Sequence, residues 1–88
     1  MDINKYRLFL KIAEFNNITA AARAMNYTQS TASHAIASME EELGIKLLQR
    51  NNTGTWLTSD GQLLLPGIRE VVEKEDYVKG LVSSINTM

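Results

Sequence analysis

Residues 28–37 of this 88-residue chain read Thr-Gln-Ser-Thr-Ala-Ser-His-Ala-Ile-Ala, short polar and small side chains with no carboxylate among them. On a helix, Gln29 lies one turn from Ser33, and Ser30 one turn from His34, with Ala37 a turn further on. A carboxamide donates and accepts at once, so Gln29 matches the N6 and N7 edge of an adenine. The Ser33 hydroxyl suits several bases and discriminates less. His34 can donate to guanine N7 or O6, or meet a phosphate when protonated. Ala37 fits a thymine methyl. Thr28 and Ser30, at the helix start, are candidates for phosphate contact beside amides at the positive end of the helix dipole.

Other residues extend this face. Arg23 and Arg50 are the nearest fixed cations, although an ion pair with Glu14 is the plainer reading of Arg23. Asn51 and Asn52 either reach a minor-groove edge or only form a turn, and the turn is the preferred reading. For every one of these residues the bland alternative is an ordinary solvated side chain.

Four helices and a hairpin are needed to hold such a face. Ile3, Tyr6, Leu8, Phe9, Ile12, Ala13 and Phe15 recur at helical spacing, and Asn16-Asn17 stops that helix. Thr19 is placed to cap a short second helix over residues 20–25, and Asn26-Tyr27 makes a turn. The alanines at 20, 21, 22 and 24 leave room for a close crossing. Thr28 caps a third helix that buries Ala32, Ile36, Met39 and Leu43 and ends at Gly44. Residues 47–50 and 55–58 read as two short strands around the turn residues 51–54. The fold class expected is mainly α: a winged helix-turn-helix over residues 1–58, with a long linker and dimerisation helix over residues 59–88.

That last helix starts from a cap at Thr58 and contains Pro66. Leu64, Ile68, Val71, Val78, Val82 and Ile85 follow alternating steps of four and three, with Glu75 filling the gap, as in a heptad seam. A small domain cannot bury this stripe alone, so a homodimer through the linker helix is expected; the alternative is that residues 60–72 pack on the domain core and the rest frays.

Composition narrows the classes. One small domain, no cysteine and one histidine leave no disulfide, no thiolate site and no credible metal or catalytic constellation. No phosphate-cradling glycine motif is present, so neither an enzyme nor a cofactor is expected. No apolar run is long enough to span a membrane, no signal peptide is read at the N-terminus, and a cytoplasmic location is expected. The net charge of −1 is low for a nucleic-acid binder, but residues 16–39 contain no acid. The run Glu40-Glu41-Glu42 is expected to face solvent.

Several ordered pieces together resemble the N-terminal DNA-binding domain of LysR-type transcriptional regulators. They are Phe9 with Ala13-Glu14, Ile18-Thr19-x-Ala21-Ala22, Thr28-Gln29-Ser30-x-x-Ser33 and Ile36. Glu41-x-Leu43-Gly44-x-x-Leu47, Arg50 and Leu57-Thr58-x-x-Gly61 follow. The molybdenum-responsive regulators have a similar winged domain and are the lesser match. The resemblance implies sequence-specific binding of double-stranded DNA, by a dimer on an inverted repeat. It also implies Leu57 inside, with Trp56 more exposed and packed on the long helix of its own or a partner chain. Family members usually carry an effector domain after the linker helix. The chain is therefore expected to be a DNA-binding fragment or short relative with no small-molecule effector site. Three positions depart from the family pattern: His34 where Arg is common, an uncharged wing at residues 51–54, and Ala32 in the core. The competing expectation is a winged-helix interaction module that pairs with another regulator through the linker helix.

Overall fold

The computed structural model describes residues 2–87; Met1 and Met88 lie outside the described residues. Helix α1 (Ile3–Phe15) starts where the Asp2 carboxylate accepts the Asn4 amide at 2.9 Å. It stops at Asn16, whose φ of 52° is the left-handed conformation that asparagine tolerates. Asn17, rather than Thr19, caps α2 (Ile18–Ala24), with its Oδ1 accepting the Ala20 amide at 2.9 Å. Asparagine is at least as good a cap as threonine, so the helix starts two residues before the expected point. Thr28 caps α3 (Gln29–Leu43) by accepting the Thr31 amide at 3.1 Å, and Gly44 ends it at φ 74°.

Strands β1 (Leu48–Asn51) and β2 (Gly54–Leu57) pair antiparallel, Leu48 opposite Leu57 and Asn51 opposite Gly54. The hairpin is shifted one residue towards its turn relative to the sequence reading. Leu47 is fully buried in the core, and Thr58 is occupied as a cap. The Thr58 hydroxyl donates to the Lys46 carbonyl at 2.7 Å and accepts the Gly61 amide at 3.0 Å, starting α4 (Ser59–Asn86). That helix runs through Pro66.

One core joins all the elements. It takes Leu8, Phe9 and Ile12 from α1, Ala21 and Ala22 from α2, and Ala32, Ile36 and Met39 from α3. Tyr6, Ile18, Leu47, Leu57, Ile68 and Val72 complete it. Phe15, expected inside, is 42% exposed because the helix ends there. Glu40 also departs from expectation. Its half-buried carboxylate accepts the amides of Leu47 at 2.7 Å and Leu48 at 3.2 Å, with Lys46 3.8 Å away. It fastens the chain leaving α3, while Glu41 and Glu42 are exposed.

The first half of α4 belongs to this core. Ile68 and Val72 are buried and Leu64 is half-buried, so the seam read from periodicity begins inside the domain. Ile68 is thereby closed to a partner chain, and Val71, which is 47% exposed, lies outside the core where Val72 is inside. Glu75 turns towards α1. Arg7 Nη2 lies 2.6 Å from both Glu75 Oε1 and Asp76 Oδ1, and Lys79 reaches Glu75 at 3.2 Å. The Arg7 guanidinium holds the Asp76 and Glu75 carboxyls below the usual carboxylate range, with Lys79 adding to the effect at Glu75.

At Gly61 a β-carbon would sit 2.5 Å from the Leu47 carbonyl oxygen, whereas at Gly67 it would meet nothing within 4 Å. Gly67→Ala should therefore stabilise the domain by about 0.5–1 kcal/mol through helix propensity. Gly61→Ala should instead cost about 2 kcal/mol or more, because backbone must move to admit the methyl. Urea unfolding of the two variants checks the opposite signs.

Candidate nucleic-acid interface

The outer surface of α3 is organised by its buried residues. With Ala32, Ile36 and Met39 inside, Gln29, Ser30, His34 and Ala37 are exposed and Ser33 is half-buried. Gln29 and Ser33 form the row nearest the wing, and Ser30, His34 and Ala37 form the next row round the helix. The Thr28 hydroxyl is occupied: it accepts the Thr31 amide and donates to Thr31 Oγ1 at 2.9 Å. Ser30 keeps its hydroxyl exposed at the start of the helix.

The wing is held from two sides. Arg50 Nη2 donates to Ser33 Oγ at 3.4 Å, tying β1 to the recognition face. At the corner between α1 and α2, the Thr55 amide donates to the Asn16 carbonyl at 3.0 Å. Gly54, at φ 149°, approaches the same carbonyl so closely that a β-carbon would lie 2.5 Å from it. A glycine is required there for both reasons.

Inside the hairpin, Asn51 Oδ1 accepts the Thr53 amide at 2.8 Å, the Thr53 hydroxyl at 2.6 Å and the Gly54 amide at 3.1 Å. Trp56 Nε1 donates to it as well at 3.2 Å. Asn51 is thus the staple of the turn, in line with the preferred reading, while Asn52 is exposed at the tip. Leu57 is buried and Trp56 is 38% exposed. The indole lies over the wing's own turn rather than on α4, because its N–H finds Asn51 and Thr53 there.

These constraints leave an open groove between the start of α2, the start of α3 and the wing. Gln29, Arg50, Asn51 and Asn52 line it, joined by Asn17, Thr19 and Thr53. Its side chains include one cation and no carboxylate, so it suits a strand of sugar-phosphate backbone with a base edge beside Gln29. Asn17, Thr19 and Thr53 were not anticipated. For Asn17 and Thr19 the one sequence signal is that the acid-free stretch already starts at Asn16; Thr53 stands in the uncharged turn 51–54. Arg23, His34 and Ala37 lie outside the groove on exposed parts of α2 and α3. Glu14 pairs with Lys11 at 3.6 Å.

The family model described as the bacterial regulatory helix-turn-helix protein, lysR family, matches residues 3–62. The chain belongs to the LysR family. It is 39% identical over 85 residues to the uncharacterized HTH-type transcriptional regulator YvbU of Bacillus subtilis, covering 96% of this chain and 29% of that protein. It is 33% identical to the HTH-type transcriptional activator AaeR of Escherichia coli, covering 97% of this chain and 28% of that one. The chain thus spans less than a third of these LysR-type relatives. Among solved structures, the DNA-binding domain of BenM in complex with catB site 1 DNA superposes with a TM-score of 0.89 at 26% identity. That match covers 99% of this chain and 94% of the other. The LysR fold is therefore a winged helix-turn-helix of the kind seen in complex with DNA, and the chain is a LysR-type DNA-binding domain.

Asn51→Ala removes the acceptor shared by Thr53, Gly54 and Trp56. We expect the Trp56 emission to shift to the red and the Gly54 amide to exchange faster, with global stability falling by only about 1 kcal/mol. Unchanged emission and exchange would show that Asn51 does not hold the wing.

Proposed function

We propose that this LysR-type domain reads double-stranded DNA sequence-specifically, as a dimer on an inverted repeat, with α3 in the major groove. The observation that carries the reading is the carboxylate-free groove lined by Gln29 and Arg50 beside the wing, with Ser33 bonded to Arg50 at its edge. Gln29 pairs with an adenine edge, and Ser33 and His34 contact neighbouring bases or phosphates. Ser30, Arg23 and Arg50 position the domain on the backbone, Ala37 packs on a thymine methyl, and Asn52 reaches towards the minor groove. With so few cations on this face, one copy binds weakly and two are needed.

The dimer contact lies on the outer half of α4. Val71, Val78, Leu81, Val82 and Ile85 are all exposed, each at 46% or more, on a helix that projects from the domain. A second copy is the partner of choice, because a symmetric helix pair presents two recognition helices to successive turns of DNA. The enzymatic classes find no support in this arrangement. Its place of action would be the bacterial cytoplasm, where the DNA is.

Selection from a randomised duplex pool at low salt tests the reading, with enrichment of inverted half-sites as the expected result. Gln29→Ala should then cost about 1–3 kcal/mol and relax one base position in each half-site. A variant with intact affinity and base preference would mean that Gln29 is not on the reading face. Val78→Asp should give a monomer in light scattering and abolish binding to the paired site. If folded parent protein enriches nothing, and Val78→Asp instead abolishes pairing with a longer regulator of the family, the interaction-module reading replaces this one.

A further inference from the structure

Beyond Val72, no residue of α4 is buried, and the only side chain of another element tied to it there, among the described residues, is Arg7 of α1. A single guanidinium nitrogen lies 2.6 Å from Glu75 and 2.6 Å from Asp76. Arg7 and Glu75 are partly shielded, with side chains 25% and 29% exposed, while Asp76 is 58% exposed. Glu75 also occupies the position where the apolar seam is interrupted, so its charge has a use within the chain that carries it. We propose that Arg7 is a positioning residue: by clamping Glu75 and Asp76, it sets the angle at which α4 leaves the domain and thereby the half-site spacing a dimer accepts. The second half of this statement rests on the dimeric DNA reading above; the first does not.

The leverage follows from length. From Val72 to Asn86 the helix rises about 21 Å, so a swing of about 10° moves its tip by roughly 4 Å, about one base-pair step. Gly61, Ile68 and Val72 seat the helix along one line on the core. The clamp adds a polar contact one turn beyond that line, where a small force has the longest arm. The two N–H bonds of Nη2 lie fixed in the guanidinium plane and can hold the two carboxylates at once, which a freely rotating lysine ammonium does with far less directional control. Such an ion pair contributes little to global stability, so its loss should leave the domain folded.

The absence of cysteine allows two labels to be placed at will. Nitroxides on Glu41→Cys and Ser84→Cys, in protein diluted with unlabelled chain, report the distance from α3 to the tip of α4 within one protomer by dipolar spectroscopy. The parent should give one narrow distribution. Arg7→Ala, and separately Glu75→Gln with Asp76→Asn, should broaden it while circular dichroism stays unchanged. On the enriched paired site, lengthening the spacer by one base pair should weaken the parent, and both variants should lose that discrimination by about threefold or more. Affinity for an isolated half-site should not change. Distributions as narrow as the parent's in both variants overturn the clamp. Broadening with undiminished spacing discrimination overturns its role on DNA. Broadening in a protein that binds no paired site supports the angular role and overturns the dimeric reading instead.

Discussion

The close crossing of α2 on α3 is the constraint on which the rest of the structure depends. Ala21, Ala22 and Ala32 are all essentially excluded from solvent, and none has a side chain longer than a methyl. Backbones separated by methyl groups approach more closely than leucine-lined helices can, so the linking turn stays short. Asn26 makes that turn at φ 60°, and the Tyr27 amide closes it on the Ala22 carbonyl at 2.8 Å. With α2 pressed against its inner side, α3 has only one face left for solvent, and the N-terminal part of that face, up to Ser38, carries no acid. Larger side chains at these alanines would force the helices apart, and the groove between α2, α3 and the wing would open with them.

Local chemistry made most of the elements legible. The left-handed ends at Asn16 and Gly44 and the caps at Thr28 and Thr58 each rest on a residue type and its immediate neighbours, which a sequence displays directly. Thr19 was misread for an equally local reason: two cap-competent residues stand two apart, and only the extended backbone of Asn17 decides between them. The seam on α4 divides. Of its four-three stripe, which skips Val72 and is broken at Glu75, Ile68 and in part Leu64 serve the domain's own core, while Val71, Val78, Val82 and Ile85 lie bare. Periodicity reports a stripe of apolar residues and not which body covers it.

The charged residues were the least legible part of the candidate site and its supports. Glu40 stands first in an acidic run, but helix phase turns it inward to accept two amides of the chain that leads to the wing. Glu75 and Asp76 look like solvated residues in an acidic tail until Arg7, distant in sequence, is brought to them. The Arg7 pairing joins residues 68 and 69 apart, which no local window contains, whereas Glu40 and its amides stand only seven and eight apart and are brought together by the turn after α3. The same limit hid Asn17 and Thr19 from the groove, since their nearness to Arg50 and Thr53 depends on how the hairpin folds back.

Charge placement also explains how an acidic chain keeps a face open to phosphate. Glu75 and Asp76 of α4 are spent on Arg7 and Lys79, and Glu40 of α3 on backbone amides and Lys46. None lines the groove. The wing itself achieves rigidity with neutral groups, four donors converging on Asn51 Oδ1, in place of the charges common at such tips. On the proposed DNA-bound reading, such a wing contributes shape and hydrogen bonds that salt screens little, with Arg50 as its cation. On the same reading, discrimination among sites draws on the direction of α4 as well as on the base contacts proposed for α3.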